Sequence, residues 1–524
     1  MQDSLVEYGA RRAIITITAI LCALLEIVDT TIVNVALNEM KGNLGATLSE
    51  VGWVITAYAI GNVIIVPMTS WLSQQFGRRN YFAASIIIFT VFSFLCGNAD
   101  NIWELVFFRL MQGIGGGALL VTSQTIITES YPIEKRSMAQ AIYGLGVIIG
   151  PTLGPPLGGY IVDNFSWPFI FYINIPIGIV ATLLTLQFVR SPRYAEKKSA
   201  SEVDWFGIFL LAITVGSLQY ILEKGHEEDW FESTSIIILS LTSFFGFIFF
   251  LWRELTCEHP IVELRVLKNG NLRIGTIMSF ILGFGLYGST FIIPLYTQSI
   301  LGWTALQSGA LMIPAALTTA FMMPFIGKIL SRGAKPQILV SIGMFVFFVY
   351  SFWGYKILTP DTSKDAFFWM LIVRGLGLSM LFIPITSLAL STLKGQEIGQ
   401  GSAFTGMMRQ LGGSFGVAAI TTFISNRNML YRSDLVSKLD SNSLMVQQRI
   451  AGLKASFIAK GMTPDQALAS AYKILDFSVM KQAAVLSYMD VFLYLGILFL
   501  ICIPFILLIK NRKGGRTISA SEAH

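Results

Sequence analysis

Residues 20–33 read Ile20–Leu21–Cys22–Ala23–Leu24–Leu25–Glu26–Ile27–Val28–Asp29–Thr30–Thr31–Ile32–Val33. They lie inside a longer apolar run, about 13–37, and a membrane-crossing helix needs about 20 such residues. A charge at bilayer depth costs about 3 kcal/mol or more, so two acids in such a run mark a function. Glu26 and Asp29 are three residues apart and share a helix face. Carboxyls held close together in a low dielectric can take and release protons near neutral pH. The first segment therefore reads as a transmembrane helix with proton-handling acids, and the spacing alone leaves open which of the two carries the proton.

The rest of the chain extends that reading. It has 524 residues, of which 54% are hydrophobic and 13% charged, where a soluble protein is about one-quarter charged. Its many phenylalanines suit lipid contact. Fourteen spans are expected, at about 13–37, 50–71, 81–98, 104–128, 138–161, 169–189, 204–222, 235–252, 272–297, 305–329, 336–355, 366–391, 398–425 and 487–509. Lipid leaves an open backbone unsatisfied, so the spans are helical. One set of short loops with the C-terminal tail carries 22 Lys and Arg, from Arg11 and Arg12 to Lys513 and Arg516, and the opposite short loops carry 4 (Lys41, Lys224, Lys356 and Lys364). The positive set marks the cytoplasmic side and places both termini there. The first run is too long and too acidic for a secretory signal peptide. Four cysteines and three histidines give neither a disulfide framework nor a metal spacing, so no metal and no cofactor is expected. Nor is a nucleic-acid partner. Gly113–Gly117 sits mid-membrane without a following Lys-Ser/Thr, and no ATP-binding motif appears, so an ion gradient must supply the energy.

Internal symmetry divides the chain. Pro67–Met68–Thr69–Ser70–Trp71–Leu72 with Gly77–Arg78–Arg79 ends span 2, and Pro324–Phe325–Ile326–Gly327–Lys328–Ile329 with Gly333–Ala334–Lys335 ends span 10. Arg109, Gly113 and Gly115 in span 4 are echoed by Arg374, Gly375 and Gly377 in span 12. The expected organisation is an N-terminal six-helix bundle (1–190), a linker with two extra helices (191–271), and a C-terminal six-helix bundle (272–524) with a long periplasmic loop at 426–486. Parallel halves around a midplane site are a transporter design.

Together these elements resemble the major facilitator superfamily, in its fourteen-span drug:proton antiporter branch, the EmrB/QacA type. Asp29–Thr30–Thr31–Ile32–Val33–Asn34–Val35–Ala36–Leu37 is similar to the helix-1 motif, with Asn38 in place of the usual proline. In the span 2–3 loop, Gly77, Arg78 and Arg79 match the gating motif, but Ser70 replaces a glycine and Gln74 the acid, so the usual loop salt bridge lacks its carboxylate. Arg109–Leu110–Met111–Gln112–Gly113 with Gly115–Gly117 matches the helix-4 motif. Gly150–Pro151, Gly154–Pro155 and Gly158–Gly159 match the helix-5 antiporter motif. The resemblance implies an all-α, two-bundle fold and proton-driven efflux of drug-like or amphipathic compounds across the inner membrane. It also implies that Arg109 lies near Asp29. Export of a defined physiological anion, such as a fatty or aromatic acid, is the alternative.

Several expectations rest on residue chemistry. Arg109, charged and in a span, needs an acid or backbone partner, and Gln112 one turn on extends that network. Gly146, Gly150, Gly154 and Gly158 form a stripe of small residues; with Pro151 and Pro155 they would let spans of the two halves slide past each other. Polar and aromatic groups within spans are the substrate candidates: Asn34, Tyr58, Asn62, Gln124, Tyr143, Gln219, Tyr287, Tyr296, Phe382, Met407 and Arg409. In 426–486, Thr463–Pro464–Asp465–Gln466 reads as a helix start, followed by a stripe of Ala467, Leu468, Ala471, Tyr472, Ile474 and Leu475. Gly461–Met462–Thr463 with Gln466–Ala467 resembles the same loop of EmrB-like exporters. It implies a periplasmic adaptor and an outer-membrane channel (EmrA-like and TolC-like), and a cap on the protein's own outer face is the competing reading.

Overall fold

A computed structural model describes residues 5–192, 203–439 and 443–507. Arg193, Lys197, Lys198 and the basic tail from Lys510 onward, used above for orientation, lie outside them. The first half contains α1 (Gly9–Asn43), α2 (Leu48–Gln75), α3 (Arg78–Gly97), α4 (Ile102–Ser130), α5 (Arg136–Asn164), α6 (Phe169–Tyr172) and α7 (Asn174–Phe188). Then come α8 (Trp205–Lys224) and α9 (Thr234–Thr256). The second half contains α10 (Gly270–Ser299), α11 (Ala305–Leu311), α12 (Ile313–Ser331), α13 (Pro336–Ile357), α14 (Lys364–Leu390), α15 (Gln396–Ser437), α16 (Leu444–Ala459) and α17 (Pro464–Leu507).

Local sequence sets many of these boundaries. Thr47 and Glu50 form a reciprocal capping box that starts α2, and Asn101 accepts from the Trp103 and Glu104 amides to start α4. Pro314 at the first turn of α12 splits the expected tenth span into α11 and α12. Gly77 stands before α3 at φ 78°, a left-handed conformation that favours glycine.

Thirteen of the described helices are long and apolar enough to cross a membrane. The remaining expected span, at 398–425, falls on α15, where Gly, Ser and Thr and the buried Arg409 dilute the apolar content. α15 packs along α10 and closes the second bundle. α1 packs on α5 and α4, α2 on α4, and α3 on α4 and α7; α10 packs on α15, α12 and α13 on α14, and α13 on α17. The architecture is all-α, with two six-helix bundles and α8–α9 inserted between them in the chain. The bundles meet where α5 packs on α11, α12 and α14, and where α15 packs on α2 and α4. The inserted α8 lies against α2 on one side and α15 on the other.

The stretch 426–486 is not a long loop, and its described residues are largely helical. α15 continues to Ser437, α16 follows, and α17 runs unbroken from Pro464 through the boundary expected at 487. At 1.5 Å per residue, the 42 residues of α15 measure about 63 Å, about twice a bilayer core. The helices therefore stand out of the bundle as a hairpin. Arg432 pairs with Asp476 (2.9 Å) and Arg427 with Asp490 (3.4 Å), and Tyr431 donates to Asp490 (2.8 Å), which ties α15 to α17. The expected helix start is present in loose form, with Gln466 N donating to Thr463 Oγ1 at 3.5 Å. Ala467 and Ala471 of the expected stripe are buried, because that face packs on the chain's own hairpin.

Candidate functional site

The helix-1 acids have different partners. Asp29 is fully buried and accepts from three residues: Arg109 Nη1 at 2.5 Å, Gln112 Nε2 at 3.1 Å and Asn174 Nδ2 at 2.8 Å. Arg109 also donates to Gln112 Oε1 (2.7 Å) and to the Val54 carbonyl (3.2 Å), and its guanidinium lies 4.1 Å from the Tyr58 ring centre. Gln112 and Asn174 both donate to Ser93 Oγ, at 2.6 and 3.2 Å. α1, α2, α3, α4 and α7 are thus joined through one buried ion pair whose polar valences are nearly all used. Burying such a pair is tolerable only when hydrogen bonds complete it.

Glu26 is 4% exposed and accepts one hydrogen bond, from Asn62 Nδ2 to Oε1 at 2.8 Å; its Oε2 has no partner. It lines a cavity of about 300 Å³ between the halves. From the first half the cavity is walled by Glu26, Thr30 and Asn34 of α1, Tyr58 of α2 and Arg109 of α4. The second half supplies Tyr287 and Phe291 of α10 and Arg409, Gln410 and Ser414 of α15. Arg409 is 2% exposed, with Nη1 unpartnered and the guanidinium 5.2 Å from the Phe382 ring centre. The cavity therefore presents a carboxyl from one half and a guanidinium from the other, each with an atom free of protein partners.

Among the substrate candidates, Asn34, Tyr58, Gln219, Tyr287 and Arg409 line the cavity. Asn62 stands behind Glu26 and orients it. The remaining candidates lie elsewhere. Gln124 donates to Gln140 (3.2 Å), and Tyr296 donates to the Thr359 carbonyl (2.6 Å) at the far end of α10. Met407 packs on the face of α15 turned toward α2. Tyr143 donates to the Leu120 carbonyl (3.1 Å) and packs on Phe382, so both form the layer behind Arg409. Polarity within a span marks Gln124, Tyr143 and Tyr296, but their hydrogen bonds go to neighbours outside the cavity.

The α5 stripe faces its own half. A Cβ on Gly150, Gly154 or Gly158 would collide with Ile27, Thr31 or Ile32 of α1, and Gly146 lies against Ile20 of α1. The face of α5 turned to the second half is another one, where Gly144 abuts Phe382, Pro156 abuts Gly309 and Gly159 abuts Leu306. Pro151 and Pro155 sit inside an unbroken α5. In the gating loop, buried Arg78 pairs with Glu129 of α4, a carboxylate the sequence reading did not assign. Arg79 is exposed, and its backbone amide donates to Ser191 Oγ (3.1 Å). Gln74 accepts from Gln396 of α15 at 2.6 Å, so the motif position that lost its acid makes a neutral bridge between the halves.

The sequence profile of the Major Facilitator Superfamily matches residues 19–417. The chain belongs to the major facilitator superfamily. Like that family's transporters, it is a multi-pass membrane protein. It is 34% identical over 470 residues to the multidrug export protein EmrB of Escherichia coli strain K12, covering 89% of this chain and 90% of EmrB. It is 33% identical over 503 residues to the fatty acid resistance protein FarB of Neisseria gonorrhoeae, covering 96% and 97%. Its fold is similar to that of the human organic anion transporter MFSD10 (TETRAN), with a TM-score of 0.56 and 14% identity, over 94% of this chain and 100% of that one.

Among the site residues that the sequence reading of this superfamily member missed are Ser93 and Asn174 beside the ion pair and Glu223 on the cavity wall. Asn174 lies in Tyr172–Ile173–Asn174–Ile175–Pro176, which reads as a turn before a span. Glu223 lies at the end of α8 next to Lys224 and reads as a loop-edge charge. The signal available for both was a polar group at the edge of an apolar run.

Proposed function

We propose that the protein exports drug-like or amphipathic organic molecules across the inner membrane in exchange for protons, by alternating access of the central cavity. The observation that carries this reading is Glu26: a buried carboxyl lining the cavity at the junction of the halves, with one oxygen free of protein donors. That oxygen is where a proton, or a cationic group of the cargo, can arrive. Asp29, held by Arg109, Gln112 and Asn174, serves as the coupling acid that links α1 to α3, α4 and α7. The names of EmrB and FarB support an export role, and no cofactor beyond the proton gradient is required. Both termini are cytoplasmic, and the projecting α15–α16–α17 hairpin faces outward, where a periplasmic adaptor leading to an outer-membrane channel can meet it.

Arg409 favours a second reading, export of a defined organic anion such as a fatty or aromatic acid, because its free Nη1 can take a carboxylate.

Inverted vesicles with an acid interior test the first reading. Lumenal pH is followed as candidate drugs are added, for wild type, Glu26→Gln and Asp29→Asn. Drug-triggered proton release that vanishes in Glu26→Gln is the expected result. Release that persists in that variant removes Glu26 as the carrier, and a response only to carboxylic acids selects the second reading.

A further inference from the structure

The inserted helix α8 forms part of the cavity wall, with Gln219 and Glu223 one turn apart on the lining face. Gln219 is 1% exposed, and Ser414 of α15 holds it twice: Nε2 donates to Ser414 Oγ at 3.0 Å, and the hydroxyl is 3.2 Å from Oε1. The same amide donates to Glu223 Oε1 at 2.9 Å. Glu223 is thereby positioned through Gln219 by α15, the helix that carries Arg409. Its neighbour Lys224 is spent on Glu227, at 2.6 Å. Among the described residues no Lys or Arg pairs with Glu223. The cavity thus contains a second carboxyl, fixed in place and, among the described residues, without a salt bridge to a Lys or Arg.

We infer that Glu223 is a specificity residue of the transport cavity that binds the cationic group of amphipathic organic cations, so that the inserted helix adds cargo recognition to that of the two bundles. This deepens the export reading above and rests on it. A fixed carboxylate without a salt-bridge partner is the complement of an ammonium, phosphonium or guanidinium group. Tyr287 and Phe291 line the same cavity, and aromatic rings there suit the same charge. Arg409 would repel it and attract an anion, so the one cavity carries groups of both signs. One chamber can then take cargoes of either sign without rebuilding.

The test uses the full-length purified protein and two ions of the same shape and opposite charge, tetraphenylphosphonium and tetraphenylborate. Dissociation constants for both are measured by calorimetry on wild type, Glu223→Gln and Glu223→Asp. Loss of one charge-assisted contact corresponds to about a tenfold change in affinity. The expected result is that Glu223→Gln shifts the cation-to-anion affinity ratio about tenfold toward the anion, whereas Glu223→Asp holds it within about threefold. A purely structural Glu223 would weaken both ions together and leave the ratio unmoved, which overturns the inference. So does a wild type that binds only the anion. Binding of neither ion by wild type overturns the cavity reading itself.

Discussion

At the residue scale, Asp29 and Glu26 differ in what surrounds them, and the difference is measurable. Asp29 is anchored by a guanidinium and two amides, and removing one member of a buried ion pair costs about 3–5 kcal/mol because the other charge is left unpaired. Arg109→Gln should therefore lower the unfolding free energy by about that amount. The double variant Asp29→Asn/Arg109→Gln should recover part of the loss, since the stranded charge is gone. Glu26→Gln keeps the oxygen that accepts from Asn62 and should stay within about 1 kcal/mol of wild type. Thermal melts of the detergent-solubilised proteins check the order; equal melts for Arg109→Gln and Glu26→Gln would refute it. Glu26, Asp29 and Arg109 were legible in the sequence because a charge in an apolar run has few innocent explanations. Asn174 and Ser93 were not, because a neutral amide or hydroxyl in a span is common and reveals its role only through the partner across the helix gap.

At the element scale, period was legible and neighbour was not. The four-residue spacing of Gly146, Gly150, Gly154 and Gly158 identifies a close-packed face of α5, but only the folded bundle assigns that face to α1. Close packing there leaves no room for a branched side chain, and overpacking costs about 1–3 kcal/mol. Gly154→Val should lower the melting temperature and the yield of membrane-inserted protein. Gly42→Ala, at a position where a Cβ meets nothing within 4 Å, should leave both unchanged; a Gly154→Val melt like that of Gly42→Ala would show that α1 and α5 can part freely. The repeat was legible in the same way. Gly113 abuts α2 and Gly375 abuts α12, and Arg109 reaches α1 as Arg374 reaches α10. Yet Arg374 meets hydroxyls, Ser289 Oγ at 2.9 Å and Thr290 Oγ1 at 2.6 Å, where Arg109 meets a carboxylate. The two halves share a frame, but among the described residues Arg374 has no carboxylate where Arg109 has Asp29.

At the scale of the whole molecule, the halves are fastened at the end where α1 begins and enclose the cavity beyond it. The projecting hairpin belongs to this scale. Its length was hidden in the sequence because polar, amphipathic turns read as loop once they leave the membrane. Replacing 438–463 by a short flexible linker should preserve antiport in vesicles, since the cavity lies in the bundle. It should abolish drug resistance in cells if an adaptor docks there, and retained resistance would assign the hairpin to this protein's own outer face. Three contacts fasten that end: Gln396 to Gln74 at 2.6 Å, Ser137 to Ser387 at 2.9 Å, and Arg136 to the Leu393 carbonyl at 3.1 Å. All three cross from one half to the other, and Gln74–Gln396 is a neutral bridge. Neutral surface hydrogen bonds contribute about 1 kcal/mol each, weak enough to open in every cycle, and rocking of the halves requires that they do. A covalent bond at the same place would remove that freedom. Cross-linking Gln74→Cys to Gln396→Cys should therefore stop drug-driven proton release, and reductant should restore it. The wild type treated alike is the control for the native thiols, of which Cys22 and Cys96 are buried. Full transport through a completely cross-linked protein would mean that cargo passes without the halves separating at this end, and alternating access around Glu26 and Arg409 would have to be abandoned.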